Sequence, residues 1–302
     1  MVNNIFMKNL LALSLIISFT VLLSACSVSQ ENSPWLLIDN FEQQTLSSWQ
    51  NADTQNNTKP YVAKPQITEI RLDNYMVNNN DVANSSDTIN NNHYLIKKPA
   101  KDGVIGNRKA LSIKTLPEPV AVGETYTFYT RILVESFPNN HAFGISNLTP
   151  EEVKDAGYNA FEPTLRVTDK FESNGFKNDG TLMVKIDSDN KYRQYSNVQN
   201  FRDGRSANPM QTNVWYQIWY VVNNSRTDQG GQSYDVYLQG GEFTKQTLVY
   251  KDAAFRMKRE QALITFFANS NTGSHKKPYG NGGLAYDDIY MSKGVNLTNP
   301  TK

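Results

Sequence analysis

The sequence predicts an all-β chain folded as an antiparallel two-sheet sandwich. One basis is a long series of short segments, rich in Tyr, Val, Ile, Phe and Thr, in which apolar and polar residues alternate. Another is the turn clusters that separate them, such as "FPNNH", "SNGFKNDG" and "VNNSRTDQGGQS". The third is an absence: only Pro150–Ala156 reads as helix, so no crossover helices are available to join parallel strands.

The opening segment does not belong to this sandwich. Met1–Lys8 carries one Lys, Leu10–Leu23 is an almost unbroken apolar run too short to span a bilayer comfortably, and "LSAC" follows at Leu23–Cys26. These residues resemble a bacterial lipoprotein signal, in which a branched apolar residue, two small residues and Cys mark the cut. The resemblance implies removal of residues 1–25 and lipidation of Cys26; an ordinary signal peptide or membrane anchor is the alternative. Cys26 is the chain's single cysteine, so no disulfide is expected and no thiol remains for catalysis. Ser27 stands where Asp favours inner-membrane retention in such lipoproteins, which implies an outer-membrane anchor.

Residues 26–34 are the lipidated Cys and a polar tether, and residues 35–302 the sandwich domain. "WLLIDNFE", Trp35–Glu42, is the first strand, and "LSSW" at Leu46–Trp49 returns an aromatic toward it. Residues 51–92 are Asn-rich, bury too little apolar surface to order themselves, and read as a surface insertion with a short strand at Ile67–Leu72. Strands follow at Lys109–Thr115, Thr125–Glu135, His141–Ser146, Thr164–Asp169, Thr181–Asp187, Trp215–Val222, Tyr234–Gln239, Thr247–Tyr250, Leu263–Asn269 and Leu284–Met291. The helix at Pro150–Ala156 has Thr149 as its N-cap, with Glu151 and Glu152 in the first turn.

Alternation along "GGLAYDDIYM" directs Asp287 to whichever face Ile289 buries and sends Asp288 the other way, to solvent. A carboxylate on the buried side needs a partner. This segment, with "LIDNFEQQTLSSW" and "NRKALSIKT", resembles the last, first and second strands of bacterial jelly-roll modules. "WYQIWYVVNNSRTDQGGQSYDVYLQGG" resembles the paired central strands of concanavalin A-like lectin and glucanase domains, and the likeness, one of pattern, covers most of the chain outside residues 51–92. It implies a jelly roll whose terminal strands pair at one edge, with a structural Ca²⁺ held by Asp39, Glu42 and Asp287. The alternative is an Asp held by backbone N–H groups or by an Arg.

The same alternation leaves Tyr129, Arg131, Arg166, Lys185, Gln217, Trp219, Asp235, Tyr237 and Gln239 facing outward, with Tyr279 in a nearby loop. Rings that stack on pyranoses and planar polar groups that pair with hydroxyls or carboxylates are what a sugar groove requires; ordinary cross-strand pairing is the alternative. Thirty Lys and Arg against 29 Asp and Glu give a net charge of +1, so nothing favours a nucleic-acid partner. The expected function is outer-membrane-anchored polysaccharide binding by a monomer without an organic cofactor.

Enzymatic alternatives narrow quickly. The Glu-x-Asp-x-Glu strand of jelly-roll glycoside hydrolases does not occur, nor does a Gly-x-Ser-x-Gly, P-loop, dinucleotide or zinc motif. A lyase cleaving a uronate glycan by β-elimination needs less: Arg131 and Gln217 to neutralise the carboxylate, His141 as base, Tyr129 or Tyr279 as acid. The Arg-x-Glu-x-Arg and Gln-Ile-His motifs of alginate lyases are not reproduced. His93 falls in the insertion and His275 in a Lys-flanked loop, so His141 is the histidine placed on a strand. A structural envelope protein is the third reading.

Overall fold

Burial of one face per strand requires two sheets packed face to face, and the computed structural model has that architecture. It describes residues 34–54, 67–73, 92–172, 175–186 and 195–300; Cys26 and the leading segment lie outside the described residues. In chain order the strands are β1 (Leu36–Asp39), β2 (Gln50–Asp53), β3 (Ile67–Asp73), β4 (Asn92–Lys98), β5 (Lys109–Val120), β6 (Thr125–Val134), β7 (Asn140–Ser146), β8 (Thr164–Thr168), β9 (Leu182–Lys185) and β10 (Tyr195–Asn197). Then come the ribbon β11 (Gln199–Asn200) and β12 (Arg205–Ser206), the long strands β13 (Trp215–Asn223), β14 (Ser233–Gly240), β15 (Phe243–Ala254) and β16 (Leu263–Asn271), the ribbon β17 (Gly273–Ser274) and β18 (Lys277–Pro278), and β19 (Leu284–Lys293).

One sheet runs β15-β14-β13-β6-β19-β4-β3, with β1 also pairing β19, and the other runs β10-β9-β8-β7-β16-β5-β2. Every ladder between these strands is antiparallel, so the chain is an antiparallel jelly-roll sandwich with its terminal strands β1 and β19 paired. Helix α1 (Pro150–Ala156) carries the expected capping box: Thr149 accepts from Glu152 N–H while the Glu152 carboxylate accepts from Thr149 N–H. The interior between the sheets is built from the inward residues of both, including Phe128, Ile132, Phe143, Val167, Ile218, Tyr220, Phe266 and Met291. Phe128 and Tyr220 stack with ring centroids 5.4 Å apart, and full burial of such a side chain stabilises by roughly 1.5–3 kcal/mol.

Two expectations about elements are revised. Part of the 51–92 region joins the sheets: β2 closes one edge of the seven-stranded sheet, while the strand expected at Ile67–Leu72 is present as β3 and pairs in register with β4 at the edge of the eight-stranded sheet. Strand β5 continues through Pro117 and Pro119 to Val120, beyond the expected Thr115. Its ladder with β16 is irregular there, which accommodates residues that have no N–H to donate.

The larger correction concerns Asp287 and Asp288. The β19 ladder with β6 shifts register between Asp287 and Tyr290, and Asp288 has φ = 49°. This one-residue bulge breaks the alternation, so Tyr286 and Ile289 both enter the core while Asp287 points outward. There Arg131, its partner across the ladder, reaches Asp287 at 3.2 Å and Asp288 at 3.1 Å. Asp288 is therefore buried and paired instead of solvated. The left-handed conformation suits Asp, whose neighbour closes the turn: Asp288 N–H donates to Asp287 Oδ1 at 2.7 Å.

His141 shares the inward side of β7 with Phe143 and Ile145 and is 1 % exposed, so the base expected in a groove lies between the sheets. Its Nε2 meets the Gly282 carbonyl at 2.8 Å. Burial pushes its pKa down to about 4, and burial likewise lowers that of the neighbouring Lys97 to about 7.

Two measurements follow. Because the folded pKa of His141 lies below the ordinary 6.5, the unfolded chain takes up more protons between pH 6.5 and 4, and stability falls as pH drops through that window. Glu162, whose carboxyl burial raises to about 7 against the pull of Arg259, acts in the opposite sense. Urea denaturation of wild type and His141→Gln should therefore differ in slope, the wild type losing about 1.5 kcal/mol more between pH 6.5 and 5; equal slopes would contradict a neutral interior imidazole. Arg131→Met should cost about 2–3 kcal/mol by leaving buried carboxylates uncompensated, allowing for the partial exposure of Arg131. An unchanged denaturation midpoint would contradict that role.

Candidate functional site

The expected site residues divide between the two outer faces. Tyr129, Arg131, Gln217, Trp219 and Tyr237 share the outer side of the eight-stranded sheet in two cross-strand rows, Gln239–Gln217–Arg131–Asp287 and Tyr237–Trp219–Tyr129–Tyr290. Neither row is open to a ligand in the way expected. Trp219 is fully buried, with Trp35 and Leu297 packed on its cluster and its Nε1–H donated to the Thr298 carbonyl at 3.0 Å. The stacking role expected of Trp219 is thereby overturned, because the chain's own terminal segments occupy its face. Tyr129 is buried beside it and donates to Gln217 Oε1 at 3.1 Å, while the Arg131 guanidinium lies 4.7 Å over the Trp215 ring. The polar and aromatic rows of this face pair largely with one another.

The acids of the expected calcium site have separate partners. Asp39 accepts from Trp49 Nε1 at 2.7 Å and from Lys114 at 3.1 Å, Glu42 contacts His93 at 2.9 Å, and Asp287 is held by Arg131 and Asn92. Among the described residues no group of three His, Cys, Asp or Glu side chains is placed to hold a metal ion. The lyase constellation is not assembled either: Arg131 and Gln217 face out from one sheet, His141 is interior, and Tyr279 belongs to the far side of the other sheet.

That far side, the outer face of the seven-stranded sheet, has a different character. Part of it is covered by α1 and the 3₁₀ turn Gly157–Ala160, whose Val153, Ala160 and Phe161 pack on Leu111, Ile113, Ala142 and Phe267. Phe161 stacks on Phe267 at 3.7 Å. Gly144 permits this approach, since a Cβ there would lie 2.1 Å from the Pro163 carbonyl oxygen. Beyond the apolar patch the face turns polar. Arg166 of β8 is paired across Ala142 of β7 with Asn269 of β16.

Arg166 is 6 % exposed, donates to Glu172 at 3.1 Å and to Asn140 at 3.4 Å, and lies 4.6 Å over the Tyr195 ring. Glu172 also receives Lys170 and Asn178, and Lys170 lies 4.8 Å over the Tyr279 ring. Burial opposes ionisation of Glu172, but the Arg166 guanidinium and these hydrogen bonds outweigh it and hold the carboxyl below its usual range. Burial lowers the Lys170 ammonium and raises the phenols of Tyr158 and Tyr279, so both phenols stay protonated.

Five buried polar atoms here have no hydrogen bond of good geometry among the described residues: both amide atoms of Asn269, Asn178 Oδ1, and the hydroxyls of Tyr158 and Tyr195. The two phenols face each other without a hydrogen bond of good geometry. Asn269 is 1 % exposed, and native interiors seldom leave a whole amide unpaired. Of the expected residues, Arg166 and Tyr279 belong to this cluster. Lys185 shares the face but is turned to the Ile186 carbonyl at 2.7 Å. Sequence reasoning missed Asn140, Asn269, Tyr158, Tyr195, Lys170 and Glu172. Alternation in Leu263–Asn269 already puts Asn269 outward, whereas Tyr158 and Lys170–Glu172 arrive from turns, and Tyr195 from the short edge strand β10, whose paths no periodicity predicts.

No family model and no curated protein matches the chain. Similar solved structures include a PL-14 alginate lyase from Aplysia kurodai (13% identity, TM-score 0.43, 67% of this chain and 84% of that one). They also include the basic winged bean lectin with Tn-antigen (12%, 0.41, 82% and 98%) and the catalytic domain of a GH131 β-glucanase from Podospora anserina (9%, 0.40, 69% and 74%). At these scores the assignment of an antiparallel sandwich rests on the strand order and register of the chain itself.

Proposed function

We propose that this chain binds a glycan on the outer face of the seven-stranded sheet, at the cluster formed by Arg166, Asn269, Tyr158, Tyr195, Lys170 and Tyr279. The observation that carries this reading is the Asn269 amide, 1 % exposed and without a partner among the described residues, on the same face as the facing phenols of Tyr158 and Tyr195. An amide supplies donors and an acceptor to adjacent sugar hydroxyls, and phenols supply a further donor with a ring edge or face. Arg166 and Lys170 against the single carboxylate of Glu172 leave a local positive charge, which favours an acidic sugar.

A second reading, cleavage of such a glycan by β-elimination, is favoured by Lys170. Its amine nitrogen lies 4.8 Å over the Tyr279 ring, which sets an amine beside a phenol that burial keeps protonated. With the leading segment and Cys26, the same proposal makes the protein an envelope lipoprotein that holds its glycan-binding domain near the outer membrane.

Asn269→Ala separates a ligand-binding amide from a structural one. Because the amide has no partner, its removal should leave the melting temperature unchanged or higher, while affinity for a uronate-containing polysaccharide falls at least ~10-fold. A stability loss of about 1–3 kcal/mol with unchanged affinity would refute the site. Incubating the full chain with uronate polysaccharides and following ultraviolet absorbance of unsaturated products distinguishes the readings: a rise abolished by Lys170→Met supports elimination, and no rise with retained binding supports recognition alone. Cys26→Ser should shift the protein from the membrane to the soluble fraction; unaltered fractionation would contradict lipid anchoring.

A further inference from the structure

An acidic sugar needs a cation that the protein has not already paired, and Arg166 and Lys170 both donate to Glu172. Lys109, the first residue of β5, is a cation of the required kind. Leu111 and Ile113, two and four residues on, belong to the apolar patch on the outer face of the seven-stranded sheet, so the phase of the strand puts Lys109 on that face too. Its ammonium lies beside the turn that leads from α1 to Tyr158, since a Cβ at Gly157 would sit 3.3 Å from Lys109 Nζ. Gly157 has φ = 55° and closes the helix by donating its N–H to the Val153 carbonyl. The residue that borders the ammonium therefore has no side chain to cover it.

Lys109 is half-buried, and its ammonium has no hydrogen bond or ion pair among the described residues. Its ladder partner Asn271 is occupied, because Asn271 Oδ1 accepts from Gly273 N–H at 2.9 Å. The next outward residue of β16 is Asn269, which pairs with Leu111. Asn269 and Lys109 are thus diagonal neighbours on adjacent strands, a relation that sets residues roughly 7–8 Å apart and within reach of a long side chain. Arg166 stands on the other side of the same amide, two strands away across Ala142. The amide without a partner is flanked by one cation held by Glu172 and one that is not.

We propose, resting on that glycan site, that Lys109 determines its specificity: the ammonium pairs with the carboxylate of a hexuronate whose ring hydroxyls bond the Asn269 amide. One pyranose with its exocyclic carboxylate spans the separation between the two side chains, and a hydrogen bond to a charged group is worth about tenfold or more in affinity. The test uses the full chain and affinity electrophoresis, with polygalacturonate, alginate and hyaluronan as probes, each beside its carboxyl-reduced, neutral form. The wild type should bind at least one intact polymer ~10-fold or more tightly than its reduced form. Lys109→Gln should lose that margin while keeping both the affinity for the reduced form and the melting temperature, and Lys109→Arg should retain the margin. Equal binding of intact and reduced polymer by the wild type, or a margin that survives Lys109→Gln, overturns the role of Lys109 and leaves the glycan site standing. No binding of either form of any probe overturns the glycan site and the role of Lys109 together.

Discussion

A side chain in a paired strand has two places to go, and the apolar layer between the sheets claims one of them. That constraint organises the molecule. Phe128, Ile132, Ile218, Tyr220, Phe143 and Phe266 fill the interior because each sits at the inward phase of its strand, and their burial supplies the dominant stabilisation. Everything polar on these strands is thereby sent to one of two outer faces or must find a partner inside, as His141 does with the Gly282 carbonyl and Lys97 with Ser112. The constraint also explains why a single inserted residue matters: the bulge at Asp288 changes the face of Asp287 and turns an expected interior acid into the outward partner of Arg131.

The two outer faces show how similar residue types reach opposite ends. On the eight-stranded sheet, aromatic and planar polar groups stand in adjacent rows, but Trp35 and Leu297 cover the rings and the polar row pairs with itself. On the seven-stranded sheet, Arg166, Lys170 and Glu172 are likewise paired, yet the buried Asn269 amide and the buried hydroxyl oxygens of Tyr158 and Tyr195 have no hydrogen bond of good geometry among the described residues. A buried polar group that finds no partner forfeits solvation without compensation. Among the described residues, the second face carries more such groups than the first. Exposed aromatics alone do not locate a site; unmet hydrogen-bonding capacity beside fixed charge does.

Much of the fold was legible in the amino-acid order. The alternation, the turn clusters and the capped helix at Pro150–Ala156 specify a sandwich, and strand phase correctly separates Phe128 from Tyr129, Leu165 from Arg166 and Ile218 from Gln217. The site was legible only in part. Arg166 is readable from the phase of its strand, but Tyr158, Lys170, Glu172 and Tyr195 meet it through turns and a short edge strand. His141 misled because its phase was not weighed against Phe143 two residues on, which commits the whole strand.

The order of residues by itself determined that this chain makes strands, which side chains each strand turns inward, and where the helix begins, because these depend on period and local capping. Tertiary structure alone decided which sheet each strand joins, that the terminal segments close one outer face, and that Asp287 crosses to the other side of its strand. Those outcomes depend on contacts between residues far apart in the chain and on one bulge that period-2 reasoning treats as absent.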